Sequence, residues 1–124
     1  TRDPALRFLL QPMTRPHALR RSLYANGFTI LREEPVVSAG FPYSIMQAAY
    51  TGECRQIDAA AAYGGLLLHD SRPEARQYID KVVRQLRQRE QGLFHSGQQV
   101  KAAEISALIS ILEGEIVDDC TKSI

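Results

Sequence analysis

The chain has 124 residues and a mass of 13.9 kDa, a length that allows one modest domain and excludes a two-domain enzyme. Its hydrophobic fraction of 44% and charged fraction of 23% are typical of a globular domain, which excludes a disordered tail or a fibrous repeat. The net charge of +1 gives no bulk attraction to nucleic acid or membranes, so any such binding depends on local patches.

The chain opens with a strand pattern followed by a helix pattern. Residues 6–10 form a short apolar run that Pro12 stops, which is typical of a buried strand of the parallel type. A helix is predicted over residues 15–25, with Thr14 as its cap and Asn26-Gly27 as its left-handed stop.

Two extended segments follow and are predicted to pair. Residues 28–37 and 43–50 have strand character, and the turn residues between them favour a tight antiparallel return. Gly52 ends this sheet portion. Residues 57–65 then form an alanine-rich connector with a helical turn.

The second half of the chain carries two apolar seams at helical spacing. Ser71 and Glu74 have the spacing of a capping box, and a break at residues 95–97 separates two predicted helices. The seam positions are Ala75, Ile79, Val82, Leu86 and Leu93 in the first helix, and Ala102, Ile105, Ile109, Leu112 and Ile116 in the second. This spacing predicts an antiparallel helical hairpin of the coiled-coil type.

Three segments are therefore expected: a sheet portion over residues 1–53, a connector over residues 54–70 and a helical hairpin over residues 71–124. The fold class is α/β, as an α+β fragment. The longest apolar stretch, residues 59–68, is far below the ~18 residues needed to cross a bilayer, so no membrane association is expected. Because the sequence begins at Thr1 without an initiator methionine, we expect an excised or processed piece.

Four ordered segments of the sequence resemble a known family. They read RFLLQP at residues 7–12, LRRSLYANGF at residues 19–28, YSIMQAA at residues 43–49 and GGLLL at residues 64–68. Together with the helix pair they resemble the C-terminal half of the bacterial tRNA (adenine-22-N1)-methyltransferase family, over about residues 6–115.

The resemblance implies an enzyme dependent on S-adenosyl-L-methionine (SAM), with tRNA as its substrate and a cytoplasmic location. It implies that the sheet portion supplies the closing strands of a Rossmann-like sheet, in which the last strand inserts between its two predecessors. The sequence contains no Gly-rich turn after a first strand and no acidic residue placed to hold a ribose. We therefore expect the catalytic and cofactor-binding residues in an N-terminal half that this chain lacks, and we expect this chain alone to be inactive and to bind SAM poorly.

A candidate substrate pocket follows the first predicted strand. Gln11, Pro12 and Met13 come directly after its carboxyl end, which is where open α/β sheets bind their ligands. By position they are candidates to line the pocket for the extruded adenine. The alternative is a strand ended by Pro12, with Gln11 capping a neighbouring backbone group.

A candidate tRNA-binding surface lies on the first hairpin helix. Residues 72–89 contain six basic and two acidic residues. The arginines that share one side of the helix, here called the arginine stripe, are Arg72, Arg76, Arg84 and Arg87. They could bind a phosphate backbone, or they could pair with the acidic second helix that begins at Glu104.

The remaining polar and aromatic residues have simpler interpretations. Arg20 and Arg21 are expected on a solvated helix face, His17 and His95 in solvent, and Tyr43 and Tyr50 on half-buried strands. No histidine has a partner at metal-ligand spacing, and Cys54 and Cys120 lack the surroundings of a nucleophile, which favours a reduced protein without a metal.

Two functional hypotheses come from different classes. The first is the C-terminal portion of a tRNA methyltransferase, and the alternative is a small α+β module that uses its hairpin for dimerisation or protein interaction. If residues 6–10 form an edge strand, the exposed apolar edge predicts self-association of this chain.

Overall fold

The computed structural model describes residues 7–12 and 14–122, and the side chains of residues 7–12 and 14–114. Its elements, in chain order, are β1 (Arg7–Leu10), α1 (Pro16–Ala25), β2 (Phe28–Ser38), β3 (Phe41–Tyr50), α2 (Ala59–Gly64), a 3-10 helix (Gly65–His69), α3 (Pro73–His95) and α4 (Gln99–Lys122). The predicted order of strands and helices is confirmed, including the helical turn in the connector.

The strands form a single three-stranded sheet in which β3 lies between β1 and β2 and pairs antiparallel with both. The register places Arg7 opposite Ala49 and Phe28 opposite Tyr50. Because both outer strands run against β3, they run parallel to each other, and their carboxyl ends point toward the same edge of the sheet. The insertion of the last strand between its predecessors is the arrangement that the resemblance implies.

β1 is exposed, so the prediction of a buried strand of the parallel type is wrong for its described residues. Arg7, Phe8 and Leu9 are exposed, and Leu9 retains 75% of its accessible surface. The physical reason is that β1 lies at the edge of the described sheet, where β3 is its one strand neighbour. The apolar sheet edge predicted for the same segment is confirmed by Phe8 and Leu9.

α1 packs against the sheet and is bounded by two left-handed backbone positions. Its residue Tyr24 forms a buried cluster with Ile30 of β2 and Met46 of β3. Gly27, with φ of 88°, provides the predicted left-handed stop. At the other end Arg15 precedes the helix with φ of 50°, and no side chain caps the first turn, so the assignment of Thr14 as the cap is wrong.

The connector joins the sheet to the helix pair through α2 and the 3-10 helix. The Asp58 side chain accepts a hydrogen bond of 2.8 Å from the Ala61 backbone N–H and so caps α2. Gly65 then turns the chain with φ of 59° and ψ of −148°, a conformation that is essentially restricted to glycine.

α3 and α4 pack against each other and form the larger apolar core. The buried members are Ala60, Leu67, Ala75, Tyr78, Ile79, Val82, Val83, Leu86, Leu108, Ile109 and Leu112. They include the central seam residues and extend beyond them, because α3 also contacts the sheet and the 3-10 helix. The side chain of Ile116 lies outside the described residues, and the coiled-coil geometry stays a prediction.

The start of α3 differs in detail from the sequence prediction. Arg72, in an extended conformation, is the residue before the helix, and no side chain caps the first turn. Pro73 is the first helical residue, where its missing N–H costs nothing. The capping box between Ser71 and Glu74 is therefore absent.

None of the described helices is long and apolar enough to cross a bilayer.

Candidate functional site

The arginine stripe is largely paired with carboxylates. Arg72 contacts Glu34 of β2 at 2.7 Å and Asp70 at 2.6 Å. Hydrogen bonds from Arg72 lower the pKa of Asp70 and, together with Arg32, that of Glu34. Arg72 thereby attaches the start of α3 to the sheet.

Two further stripe arginines have acidic partners on the helix pair. Arg76 lies 3.5 Å from Asp80 one turn further along α3. Arg87 contacts Glu113 of α4 at 2.7 Å, which confirms pairing between the two helices for this residue. Arg84 is exposed and makes no ion pair with the part of the chain that the structure describes. The stripe is thus a partly neutralised surface, and its binding to tRNA stays a prediction.

The candidate substrate pocket is placed where the sequence predicted, at the carboxyl end of β1. Gln11 is exposed and Pro12 is half-buried, while Met13 lies outside the described residues. Their role toward an adenine stays a prediction.

Arg20 is completely buried, so its assignment to a solvated helix face is wrong; Arg21 is exposed as predicted. The Arg20 guanidinium donates to both carboxylate oxygens of Glu33, from Nη2 to Oε1 at 2.7 Å and from Nε to Oε2 at 3.1 Å. Its Nη1 donates to the carbonyl oxygens of Ala62 and Tyr63 at 2.8 and 3.1 Å, and its Nη2 also donates to the Tyr78 hydroxyl at 3.0 Å. One side chain therefore links α1, β2, α2 and α3.

Glu33 completes this buried network, here called the Arg20 junction. Its Oε1 also accepts from the Ser44 hydroxyl at 2.8 Å, and its Oε2 accepts from the Leu66 backbone N–H at 3.1 Å. Burial would lower the pKa of Arg20, but its hydrogen bond to Glu33 and its other charged contacts outweigh this and raise the pKa. Among the described residues no buried side-chain polar atom lacks a hydrogen bond. The junction is a satisfied structural device, and it offers no free group for chemistry.

His17 is partly buried, so the expectation that it lies in solvent is wrong; His95 is exposed as predicted. The His17 ring stacks on Tyr63, with centroids 4.3 Å apart and planes inclined by 11°. Partial burial is the largest cause that lowers the pKa of His17, and Arg15 is the next. Helical spacing alone did not reveal this contact, since Tyr63 comes from the connector.

The other predicted residues have structural surroundings. Tyr43 and Tyr50 lie on β3, and the Tyr50 ring meets Phe28 edge-on at 5.4 Å. Cys54 is exposed and unbridged, and the side chain of Cys120 lies outside the described residues. The described residues contain no cluster of three or more His, Cys, Asp or Glu side chains suited to a metal ion.

Solved structures share this fold. A proposed tRNA (m1A22) methyltransferase of Streptococcus pneumoniae superposes with a TM-score of 0.66 at 23% identity, covering 88% of this chain and 48% of that chain. An uncharacterized protein from Listeria monocytogenes serotype 4b has a TM-score of 0.71 at 18% identity, covering 89% and 50%. A protein of the NADB-Rossmann superfamily from Streptococcus agalactiae has a TM-score of 0.68 at 20% identity, covering 88% and 47%.

These likenesses define the class of protein: the fold is that of one half of a Rossmann-superfamily chain, and this chain spans about half the length of the structures it matches. A comparison with curated protein sequences found no significant match. The sequence matches the TrmK family, tRNA (adenine(22)-N(1))-methyltransferase, over residues 3–114. The chain belongs to this family, as the sequence resemblance implied.

Proposed function

We propose that this chain is the C-terminal portion of a SAM-dependent enzyme that transfers a methyl group to N1 of an adenine in tRNA. The observation that carries the proposal is the family match over residues 3–114. The strand order, with β3 between β1 and β2, supports it, because the resemblance implies this closing arrangement of the sheet.

SAM is the cofactor of the proposed reaction, and the Streptococcus pneumoniae protein has been solved in complex with it. The described residues of this chain do not fit that cofactor by themselves. β1 is followed by Gln11 and Pro12, so its turn lacks the glycines that let a backbone approach a nucleotide cofactor. The cofactor is therefore assigned to the N-terminal half of the longer protein, and this chain alone is proposed to be inactive and to bind SAM poorly.

Two surfaces of this chain are proposed to serve the substrate. Gln11, Pro12 and Met13 would line the pocket for an adenine that is extruded from the tRNA before methylation. The helix pair would support tRNA through the arginine stripe. Ion pairing does not remove this role, because exposed pairs are weak, at roughly 0–1 kcal/mol, and a phosphate competes with a carboxylate for the same guanidinium.

The exposed edge of β1 is proposed to pair with a strand of the N-terminal half. Phe8 and Leu9 are exposed there, and natural sheets rarely leave an apolar edge uncovered. In this chain alone the same edge would cause self-association. Light scattering should show oligomers that Leu9→Lys reduces, whereas a wild-type monomer at high concentration would contradict this.

The enzymatic proposal is tested with the polypeptide encoded by the complete reading frame. That protein should transfer labelled methyl groups from SAM to a tRNA transcript with adenine at position 22 and not to the same transcript with guanine there. The 124-residue chain should transfer none. Methylation by the short chain, or equal methylation of both transcripts, would contradict the proposal.

A further inference from the structure

A cleft on the far side of the connector from the sheet edge combines cations with an aromatic stack. It has a volume of about 210 Å³ and is called the His17 cleft. Its lining residues come from the start of α1, from α2 and from the middle of α3: Arg15, Pro16, His17, Tyr63, Val82, Gln85, Leu86 and Arg89.

The aromatic pair gives the cleft a defined wall. His17 and Tyr63 stack in nearly parallel planes, and Arg89 Nη1 lies 3.5 Å from the Tyr63 hydroxyl. The carbonyl of Tyr63 in turn accepts from Arg20, so the Arg20 junction holds this wall from behind. The cleft is therefore supported by the most deeply buried polar network of the molecule.

The charge of the cleft is not balanced in the part of the chain that the structure describes. Arg15 and Arg89 make no ion pair there, in contrast to three of the four stripe arginines. Both act on His17 and lower its pKa, after the larger effect of partial burial. A neutral imidazole keeps one ring N–H, so the cleft combines two guanidinium groups with a further donor.

The backbone at Arg15 supports a specialised role. Its φ of 50° and ψ of 52° place a non-glycine residue in the left-handed region, which costs about 1–2 kcal/mol. Such conformations persist where surrounding structure enforces them, and they concentrate at functional sites. Arg15 also follows the carboxyl end of β1, the edge at which open α/β sheets bind ligands.

We propose that the His17 cleft is a phosphate-binding site, in which Arg15 and Arg89 contact a phosphate group and His17 contributes a hydrogen bond. Paired guanidinium groups are well suited to the planar, bidentate recognition of phosphate. The source of the phosphate rests on the proposed function: a backbone phosphate of RNA. The existence of the phosphate site does not rest on it.

The first experiment compares two double variants that each remove two positive charges. Binding of the chain to a fluorescent tRNA transcript is measured by anisotropy between 50 and 200 mM salt. Arg15→Gln/Arg89→Gln should weaken binding about tenfold or more and flatten the salt dependence by about 0.7–0.9 per lost phosphate contact. The matched control, Arg76→Gln/Arg87→Gln, removes two ion-paired arginines and should weaken binding less than about threefold.

A charge-preserving variant separates binding from folding. Arg15→Lys/Arg89→Lys should keep the salt dependence of the wild type, and circular dichroism should show the same helix content for every variant. Equal losses for the two glutamine doubles would overturn the inference and leave the proposed tRNA-binding enzyme intact, because tRNA would then be held by charge at large.

The second experiment follows the imidazole resonances of His17 by NMR during titration with tRNA or with inorganic phosphate. His95, which is exposed near the end of α3, is the internal control. Both titrations should shift His17 and leave His95 unchanged. A shift with inorganic phosphate but not with tRNA would keep the phosphate site and contradict the RNA source, whereas no shift with either would overturn the site itself.

Discussion

The molecule uses the same chemical pair, guanidinium and carboxylate, in two regions with opposite surroundings. In the Arg20 junction both side chains have 0% exposure. In the pair between Arg87 and Glu113 the side chains are 51% and 50% exposed. The contact distance is 2.7 Å in both cases, so distance alone does not distinguish their roles.

Burial decides what each pair does. Removing a charge from water is costly, so a buried arginine tolerates neither loss of its partner nor an unpaired donor, and it constrains every element that contacts it. An exposed pair gains little and can exchange its partner for another anion. The junction therefore joins the sheet to the helix pair, while the exposed arginines are available for binding.

The largest predicted effect follows from breaking the junction at its centre. Arg20→Met removes every guanidinium donor and leaves the Glu33 carboxylate buried without its main partner. We expect the free energy of unfolding to fall by about 3–5 kcal/mol, measured by urea denaturation. A loss below about 1 kcal/mol would contradict the structural role assigned to the junction.

A double-mutant cycle provides the control for this variant. Glu33→Leu alone should also be strongly destabilising, because it leaves Arg20 buried and unpaired. The double variant Arg20→Met/Glu33→Leu should lose less than the sum of the two single losses, by about 2–3 kcal/mol. Strict additivity would mean that the two side chains stabilise the fold independently.

The next effect comes from the glycine that closes the junction. A Cβ at Gly65 would overlap Oε2 of Glu33 and Nε of Arg20, and the backbone there has φ of 59°. We expect Gly65→Ala to cost about 2–4 kcal/mol through steric overlap and backbone strain. Gly92→Ala is the matched control: its Cβ would meet nothing within 4 Å in α3, so thermal unfolding should show a gain of up to about 1 kcal/mol.

Much of the fold could be predicted because it depends on periodic patterns. The strands and helices were located to within a few residues, and Gly27 and Gly97 end α1 and the turn after α3 with the positive φ expected of them. The apolar seam was found in part: Tyr78 and Val83 are also buried, since α3 has a second face against the connector and sheet.

The Arg20 junction could not be predicted by the same method, for two physical reasons. First, Arg20 occupies the buried face of α1, one turn before Tyr24, but an arginine at such a position is normally read as solvated. Second, the register of β2 shifts between Ile30 and Arg32, which places Ile30 and Glu33 on the same face. Strict alternation from Ile30 would have put Glu33 on the opposite face.

A smaller effect is expected at the rim of the junction. Tyr78→Phe removes the hydroxyl that accepts from Arg20 and leaves one buried N–H unpaired, at a cost of about 1–2 kcal/mol by urea denaturation. Tyr43→Phe on β3 is the control, because the described Tyr43 hydroxyl has no hydrogen bond, and its stability should stay within about 0.5 kcal/mol. Equal losses for both variants would show that the hydroxyl of Tyr78 is not part of the network.

The smallest effect is expected at the exposed pair, and its salt dependence provides the most direct test of the comparison between the two regions. Arg87→Gln should lower the free energy of unfolding by less than about 1 kcal/mol. At 1 M salt the screening length falls to about 3 Å, so the difference between this variant and the wild type should vanish in urea denaturation. The loss caused by Arg20→Met should persist at 1 M salt, because ions do not enter a junction whose side chains have no exposed surface. If both losses disappeared together at high salt, burial would not be what separates the two arginine–carboxylate pairs.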